Sequence, residues 1–404
     1  MRRSVLYVGQ YHLPRETAGA SRVLGVGQSL RAAGYRVGLI ASRSREEGCH
    51  AEPALAEIDW RAPDLQVPRR RFRKGNLSRL IWVVAETARA MFGAARESLA
   101  AVVVYGDHCT YVPWLLPMVR WLHVPLIVDV VEWPEPRHRT GGWLAPVSWT
   151  YEFGLRILNR WANGVIAISR FLERFYAEKG LAVIRIPPTV DCRRFAWRTE
   201  KERTPGPLRI AYAGNPGQKD LLAVVFAGVA AAMRNGVEVE LHVAGLDRQG
   251  VVRVLGDNCA LIEELGENLK LYGRLAQPDA VSLVRNCDFS AFLRPDARVS
   301  NAGFPTKAVE SMAAGTPLLC NLTSDLGEYV RDGDEGVLAA DDSSVAFHAA
   351  LRRAAGISET DRARMRRLAR STAERAFDFR SYSNVLGEFI EEVRTRLLRT
   401  ETRQ

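Results

Sequence analysis

Short apolar runs alternate with amphipathic segments along most of the chain, and this pattern predicts a parallel α/β protein. Strands are predicted at 4–9, 36–41, 101–105, 124–131, 164–169 and 183–186, and again at 208–213, 237–244, 269–272, 288–293 and 318–322. Helical periodicity is found at 21–33, 76–99, 170–179, 221–234 and 279–286. Strands that alternate with helices favour doubly wound parallel sheets with helices on both faces.

The pattern begins twice, which predicts two Rossmann-like domains. Each half begins with a strand and a glycine-bearing loop, at Gly19 and at Gly214. The charged stretch between the halves has no helix or strand periodicity and contains Pro205-Gly206-Pro207. We therefore expect an N-terminal domain over 1–195, a linker over 196–207, a C-terminal domain over 208–375 and a helical, arginine-rich end over 376–404. A cleft between the two domains is the expected binding site.

The charge of the chain indicates an anionic partner. A length of 404 residues fits about two domains, and 56 Lys+Arg against 46 Asp+Glu give a net charge of +10. Such an excess suits a phosphorylated substrate, a membrane surface or nucleic acid, or it belongs to a solvated surface with no partner. Two of only six lysines, Lys219 and Lys307, fall in glycine-bearing loops, where a compact ammonium group suits an anion.

Cysteine usage and hydropathy favour the cytoplasm. The six cysteines are scattered, with no CxxC and no zinc-ligand spacing, so we expect neither disulfides nor a metal site. The N-terminal residues lead directly into a strand and resemble no signal peptide. The most apolar region, 112–131, contains Arg120, His123 and Asp129, and it is predicted to be a buried helix and strand rather than a membrane span.

The stretch 294–317 is the strongest candidate for a binding site. It begins after the strand at 288–293 as a loop with two arginines, Arg294 and Arg298. A helix is then predicted from Pro305 to Gly315, because proline suits the first position and glycine the end. The amides and the positive dipole end at its N-terminus suit a phosphate group. The bland alternative is an ordinary connection between a strand and a helix.

Two side chains of this predicted helix add chemistry to its N-terminus. Lys307 brings a positive charge into the first turn, and Glu310 follows one turn later. The carboxylate of Glu310 could accept hydrogen bonds from the vicinal hydroxyls of a sugar. Together they indicate a ligand that carries both an anion and a sugar.

Polar residues also follow the strands of the first half. Asp107 and His108 follow the strand at 101–105, and Asp129, Glu132 and His138 lie at and after the strand at 124–131. Ligands of open α/β sheets lie beyond the carboxyl ends of the strands. Glu132 and His138 are therefore candidates for contact with an acceptor hydroxyl. The alternative for each is a structural or surface role.

Three further patterns have the form of a nucleotide, metal or lipid site. Gly25-Val26-Gly27 lies inside a predicted helix, so it is not a dinucleotide-binding loop. Asp332-Gly333-Asp334 has the form of a metal-binding DxD but falls in a predicted turn away from the candidate site, so we expect it to be incidental. The basic run 69–74 beside the helix at 76–99 is either a solvated loop or a contact for anionic lipid.

The order of these motifs resembles the retaining GT-B glycosyltransferases of family four. The resemblance covers nearly the whole chain and is carried by Ala-Gly-Phe-Pro-Thr-Lys-Ala-Val-Glu-Ser at 302–311, Gly-Thr-Pro at 315–317, and the segments 165–169, 186–191 and 214–220. The segment 129–133 with His138 is similar to a subgroup associated with bacterial surface-polysaccharide assembly. The resemblance implies sugar transfer, with retention at the anomeric carbon, from a nucleotide-diphosphate donor to a glycan or lipid-linked acceptor.

The resemblance also implies roles for individual residues. Lys219 would neutralise the donor diphosphate, and Glu310 would hold the ribose hydroxyls. The terminal helix would return to the first domain, and neither a metal nor nucleic acid would take part. The remaining donor-binding positions would be Gly19, Gly214, Arg294, Arg298, Gly303, Phe304, Pro305, Thr306 and Lys307.

The sequence departs from the family pattern at three positions. Ala302 stands where a glutamate is common, Asn215 where an arginine often follows the glycine, and Glu132 near the place of a histidine. We expect Arg294 or Arg298 to supply the missing charge, and Glu132 with His138 to replace the histidine unless activity is reduced. A catalytically degenerate protein that binds nucleotide or glycan as a scaffold is the alternative. A sugar-nucleotide epimerase or a phosphorylase is a more distant one.

Overall fold

The computed structural model describes residues 3–13, 18–43, 58–62, 72–93, 98–106, 108–135, 146–195, 206–217 and 219–401. The chain divides into two compact units. The first, unit 1, consists of Met1–Thr189 with Phe379–Gln404, and the second, unit 2, is Val190–Asp378. Most of the expected linker, 196–205, lies outside the described residues.

Unit 1 contains a parallel sheet. Within the described residues it has seven strands in the order β3-β2-β1-β4-β5-β6-β7. The strands are β1 (Ser4–His12), β2 (Arg36–Arg43), β3 (Asp59–Arg61), β4 (Leu99–Tyr105), β5 (Leu126–Val130), β6 (Gly164–Ala167) and β7 (Ala182–Arg185). The helices between them are α1 (Ala18–Ala32), α2 (Phe72–Gly93), α3 (His108–Leu122), α4 (Pro146–Arg156) and α5 (Arg170–Ala177).

Unit 2 repeats this architecture. Within the described residues its sheet has six parallel strands in the order β10-β9-β8-β11-β12-β13. The strands are β8 (Leu208–Ala213), β9 (Val239–Ala244), β10 (Leu269–Leu271), β11 (Phe289–Phe292), β12 (Leu318–Asn321) and β13 (Gly336–Ala339). The helices are α6 (Leu222–Arg234), α7 (Arg248–Leu255), α8 (Ala260–Leu265), α9 (Gln277–Asn286), α10 (Arg298–Ala302), α11 (Thr306–Ala313), α12 (Ser344–Ala355) and α13 (Glu359–Ala376).

The last helix, α14 (Ser383–Glu401), belongs to unit 1. Its apolar side joins the core of that unit through Leu386, Phe389, Ile390 and Val393. Gly164 in β6 permits this contact, because a Cβ atom there would lie 2.9 Å from the Phe389 ring. The terminal helix is therefore part of the packing of the first unit rather than an appendage.

Continuous apolar runs explain the central strands. β4 reads Leu-Ala-Ala-Val-Val-Val-Tyr, and its residues from Ala100 to Val104 are completely buried. A run without alternation is typical of a parallel strand with helices on both faces. The predicted fold class, two parallel-sheet Rossmann-like domains, is confirmed.

The structure corrects the prediction at several elements. Gly19 lies in the first turn of α1 rather than in the preceding loop. The loop with the two arginines contains the short helix α10. Besides α10, the sequence interpretation missed six elements: β3, β13, α4, α7, α8 and α12. β3 is only three residues long and carries two charged ones, which leaves no periodicity to detect.

None of the helices in the described residues combines the length and the apolar composition that a bilayer crossing requires. The apolar region around 112–131 divides into α3, of 15 residues, and the buried strand β5.

Candidate functional site

The carboxyl ends of two neighbouring strands in unit 2 bring the candidate loops together. β8 and β11 are adjacent and parallel, with Ile210 opposite Phe289. The loop 214–220 follows β8, and the segment that leads to α10 and α11 follows β11. The Leu221 N–H donates a hydrogen bond of 2.8 Å to the Leu293 carbonyl, which ties the two loops to each other. The sequence-predicted glycine loop and the 294–317 stretch thus form one site.

Asp220 is the centre of this site. Its carboxylate accepts hydrogen bonds from Arg294 Nε at 2.7 Å, from the Tyr212 hydroxyl at 2.8 Å and from Lys307 Nζ. The Lys307 ammonium also lies 3.8 Å from the centre of the Tyr212 ring, a favourable cation–π contact. We call these four residues the Asp220 cluster. With one carboxylate and two cations, its net charge is +1.

Burial and charge shift the pKa values in the Asp220 cluster in ways that suit anion binding. Burial raises the pKa of the Asp220 carboxyl, but the charges of Lys307 and Arg294 outweigh this effect and hold it below its usual value. Burial lowers the pKa of the Lys307 ammonium to about 8, although the Asp220 charge opposes the change. Lys307 is therefore a cation at neutral pH that loses its charge in mildly alkaline solution.

Gly214 gives access to Lys307. Its φ of +124° lies in the region that favours glycine, and a Cβ atom there would lie 3.8 Å from Lys307 Nζ. Gly214 itself is exposed, whereas the Lys307 side chain is only 13% exposed. The next residue, Asn215, accepts a hydrogen bond of 3.0 Å from the Gly217 N–H and so stabilises the turn. Lys219 is half-buried in the same loop.

The N-terminus of α11 points its amides into this region. Pro305 precedes the helix, and no side chain caps the first turn, which begins at Thr306. Uncapped amides at a helix N-terminus suit an anionic group. One turn later, the Glu310 carboxylate accepts a hydrogen bond of 3.3 Å from Gln277 on α9. The site thus offers cations and amides at one end and a positioned carboxylate at the other.

The residues before α11 have mainly structural contacts. The Phe304 ring packs 5.8 Å from each of the Tyr329 and Phe377 rings, and the Gly303 carbonyl accepts a hydrogen bond from Ser324. Ala302 is completely buried. Arg298, at the start of α10, is half-buried.

Sequence reasoning missed the central residue. It named Lys307 and Arg294 as separate cations, but their common partner Asp220 lies 87 and 74 positions earlier in the chain. Tyr212 was hidden in an apolar strand, and Gln277 precedes the predicted helix 279–286, although the observed α9 begins at Gln277. A carboxylate beside Lys219 in a glycine loop was the signal that could have pointed to Asp220.

Unit 1 has a buried cluster of its own, around Asp129. Arg22 on α1 donates to both carboxylate oxygens, with Nη2–Oδ1 at 2.9 Å and Nε–Oδ2 at 3.1 Å, and the Tyr7 hydroxyl donates as well. The second Arg22 amino group donates to the carbonyls of Ile186 and Pro187 at 2.7 and 2.8 Å. The prediction that Asp129 faces a ligand is wrong, because its side chain is completely buried in this pairing. We call Tyr7, Arg22 and Asp129 the Asp129 cluster.

The other candidates in unit 1 lie close to the same sheet edge. Glu132 follows β5 and is half-buried, next to the buried Trp133. Gly19 faces β4, since a Cβ atom there would lie 3.0 Å from the Tyr105 hydroxyl oxygen. His138 and Asp107 lie outside the described residues.

Asp332 and Asp334 form ion pairs with arginines rather than an open metal site. Asp332 accepts from Arg353 Nη1 at 2.6 Å, and Asp334 accepts from Arg364 Nη1 at 2.8 Å. In the part of the chain that the structure describes, no three His, Cys, Asp or Glu side chains are grouped so as to hold a metal ion.

Comparison with known families agrees with this fold. Residues 17–189 match the glycosyl transferase 4-like domain, and residues 212–372 match the model of glycosyl transferases group 1. Together the two matches span most of the chain. The protein therefore belongs to the group 1 glycosyltransferases, with a GT4-like N-terminal domain.

Solved structures with the same architecture are GT-B glycosyltransferases. Anabaena HepE in complex with UDP and glucose is 15% identical, with a TM-score of 0.69 over 96% of this chain and 100% of its own. Sucrose-phosphate synthase from Thermosynechococcus elongatus is 14% identical, with a TM-score of 0.70 over 97% and 99%. The lipopolysaccharide outer core galactosyltransferase WaaB is 15% identical, with a TM-score of 0.62 over 96% and 99%. A comparison with curated proteins gave no match.

Proposed function

We propose that this glycosyltransferase moves a sugar, with retention of anomeric configuration, from a nucleotide-diphosphate donor to a glycan or lipid-linked acceptor. The acceptor belongs to cell-surface polysaccharide synthesis at the cytoplasmic face of the membrane. The observation that carries the proposal is the Asp220 cluster at the N-terminus of α11, in the part of the chain that matches the group 1 family.

The donor diphosphate binds to the cationic end of the site. Lys307, Arg294 and the first amides of α11 meet there, and Lys219 belongs to the same loop as Asp220. Departure of a nucleoside diphosphate develops negative charge, and cations held in place before the reaction stabilise that charge without reorganisation. Positive side chains and amides can fill this role, so we expect no metal requirement.

The nucleoside binds at the Glu310 end. A ribose presents two neighbouring hydroxyl groups, and a carboxylate with two oxygens can accept a hydrogen bond from each. The Gln277 amide contacts one Glu310 oxygen and so orients the group. Structures of Anabaena HepE contain UDP and UDP-glucose, which makes uridine nucleotides the first donors to test.

The acceptor binds through unit 1, where Glu132 and His138 contact its hydroxyl. Glu132 follows a central strand of the sheet at the carboxyl edge. Similarity in fold to an outer core galactosyltransferase supports a surface glycan as the acceptor class.

Two alanine variants test the proposal directly. Lys219→Ala and Glu310→Ala should each abolish sugar transfer, measured by mass spectrometry of the product, while the circular dichroism spectrum stays unchanged. Lys270→Ala and Glu267→Ala, at exposed positions of unit 2, are matched controls and should retain activity. Proton NMR of the product reports the anomeric configuration. Normal turnover in both site variants, or an inverted product, would contradict the proposal.

A non-catalytic binding role is the second candidate. The observation in its favour is Ala302, which is completely buried where the resemblance expects a glutamate. Slow hydrolysis of a bound donor in the absence of acceptor separates the two candidates. Hydrolysis that disappears in Glu310→Ala shows that the chemistry is intact, whereas donor binding without any hydrolysis or transfer favours the scaffold.

A further inference from the structure

An exposed apolar row on unit 1 has no role in the site described above. Among the described residues, nine of the fifteen exposed large apolar side chains lie between positions 81 and 171. Four of them are spaced by four residues along α4 and the 3₁₀ turn that follows it: Trp149, Phe153, Ile157 and Trp161, with exposed fractions of 60%, 49%, 40% and 51%. We call these four residues the aromatic row.

The α-helical spacing places Trp149, Phe153 and Ile157 on one side of α4, and Trp161 follows at the end of the 3₁₀ turn. The Ile157 N–H donates to the Phe153 carbonyl at 2.9 Å, so the α-helical hydrogen bonds extend to Ile157, and the Arg160 N–H then donates to the Ile157 carbonyl at 3.1 Å in the 3₁₀ turn. Residues four apart on a helix lie on the same face. Trp149, Phe153 and Ile157 therefore form one apolar ridge, and Trp161 adds an exposed ring to the same segment.

The opposite side of this segment is fixed to the unit. Leu155 and Leu158 are buried, and the Asn159 amide donates to the Tyr176 hydroxyl at 2.9 Å. A Cβ atom at Gly154 would lie 3.2 Å from the Cys109 sulfur, so α4 lies directly on α3. The ridge is thus held on a rigid support.

The neighbouring helices carry further exposed aromatic side chains. α3 contacts α2, α4 and the 3₁₀ turn. Trp114 and Trp121 on α3 are 57% and 63% exposed, and the Trp121 ring lies 5.4 Å from that of Phe92 on α2. Every exposed tryptophan among the described residues belongs to this group of elements.

The charges on these elements are positive. Arg120, Arg156 and Arg160 are exposed, while the single acidic residue of α3, α4 and the turn, Glu152, is buried and accepts hydrogen bonds from Trp133 and Arg156 at 2.9 and 2.7 Å. Exposed tryptophans with arginines and without exposed carboxylates match the interface of an anionic bilayer, where the rings lie at the level of the lipid headgroups.

We infer that the aromatic row and its flanking arginines dock unit 1 on an anionic lipid surface. This inference names the partner surface of the proposed function and rests on it for its biological role. This surface is not the basic run 69–74 that the sequence offered as a lipid contact. Residues 69–71 and the side chains of 72–74 lie outside the described residues. A protein partner of comparable apolar surface is less suited, because the exposed charges of α3, α4 and the turn are all positive and match lipid phosphates.

Vesicle binding tests the surface. The full chain is mixed with phosphatidylcholine vesicles in which about 30% of the lipid is phosphatidylglycerol. The bound fraction is measured by flotation. The wild type should bind, and binding should fall in pure phosphatidylcholine. Phe153→Ala/Ile157→Ala/Trp161→Ala should reduce the partition coefficient at least about tenfold, and Arg160→Gln about fivefold.

The control variant carries three substitutions of exposed valines elsewhere, Val252→Ala/Val345→Ala/Val385→Ala, and should bind like the wild type. The inference is overturned if the wild type ignores anionic vesicles, or if the row variant binds as well as the control. It is also overturned if light scattering shows a wild-type dimer that the row variant converts to a monomer while vesicle binding is absent, since a second copy is then the occupant.

A separate measurement distinguishes this inference from the proposed function. Binding of UDP and UDP-glucose is measured without vesicles by thermal shift, and the row variant should match the wild type. Loss of vesicle binding with intact nucleotide binding supports the surface. Intact vesicle binding in a wild type that binds no nucleotide contradicts the proposed function and leaves the surface standing.

Discussion

The two units contain similar buried clusters that differ in one respect. In each, a tyrosine from the first strand of the unit donates to an aspartate that is paired with an arginine: Tyr7, Asp129 and Arg22 in unit 1, and Tyr212, Asp220 and Arg294 in unit 2. Unit 2 adds Lys307 to the same carboxylate. The comparison indicates what distinguishes a structural ion pair from the proposed binding site.

In the Asp129 cluster, the charges are paired with each other and the arginine is bonded within the protein. Arg22 uses Nε and one amino group for the carboxylate and the other amino group for two carbonyls, and its side chain is 2% exposed. No donor of this guanidinium points to solvent, and the charges of the pair cancel. Such a pair fixes α1 to the ends of β5 and β7.

The Asp220 cluster contains more positive than negative charge. Its two cations share one carboxylate, the side chains of Arg294 and Lys307 are 9% and 13% exposed, and the exposed Gly214 adjoins the lysine. The remaining positive charge has no counter-ion within the cluster. An incoming diphosphate can supply it, so the difference between the clusters is a second cation on the same carboxylate at an accessible place.

The largest expected effect is a loss of stability when the Asp129 cluster is broken. Asp129→Asn leaves Arg22 as a buried charge without its partner, and we expect it to destabilise unit 1 by about 3–5 kcal/mol. Urea unfolding followed by tryptophan fluorescence measures the change. Asp332→Asn is the control, because its pair with Arg353 is about half exposed and should contribute no more than about 1 kcal/mol. Equal stability of Asp129→Asn and the wild type would show that the burial of this pair is not important for the fold.

A smaller effect is expected on donor binding at the Asp220 cluster. Lys307→Met removes the spare charge with little change in volume, and donor affinity should fall about 30-fold, since a hydrogen bond to a charged group contributes about 1.5–3 kcal/mol. Isothermal titration with UDP-glucose measures it. Lys270→Met on β10 is the matched control, with an exposed lysine of the same unit. Unchanged affinity in Lys307→Met would mean that Lys219 and the helix amides bind the diphosphate alone.

The smallest expected effect is the dependence of donor affinity on pH. Lys307 is protonated below its pKa of about 8, which burial sets, and neutral above it. The cation attracts a diphosphate and the amine does not, so donor affinity should fall about tenfold from pH 7 to pH 9, one unit beyond the pKa. The Asp220 carboxyl stays ionised over this range because Lys307 and Arg294 outweigh burial and keep its pKa low. Lys307→Arg, whose guanidinium stays charged, should show a flat profile; a wild-type profile as flat as that would contradict the assignment.

Local patterns in the sequence were sufficient for the fold class and for the two loops that meet in the candidate site. Buried apolar runs located the central strands, such as β8 at its observed bounds, and proline and glycine located α11. The clusters could not be predicted, because Asp220 meets Lys307 only after 87 residues and Asp129 meets Arg22 after 107. Pairing over such separations depends on strand order, which leaves no local trace. For the same reason Asp129 was assigned to a ligand rather than to the core.

The place of α14 in unit 1 has a consequence for synthesis on the ribosome. Unit 2 is continuous in sequence, from Val190 to Asp378, whereas unit 1 needs Leu386, Phe389 and Ile390 for its core. At about 5–20 residues per second, the first 189 residues wait roughly 10–40 s for the helix that completes them. The unit that begins first is therefore finished last, and its nascent form exposes the surface that α14 later covers. Truncation before residue 383 would leave the mature protein in that same state.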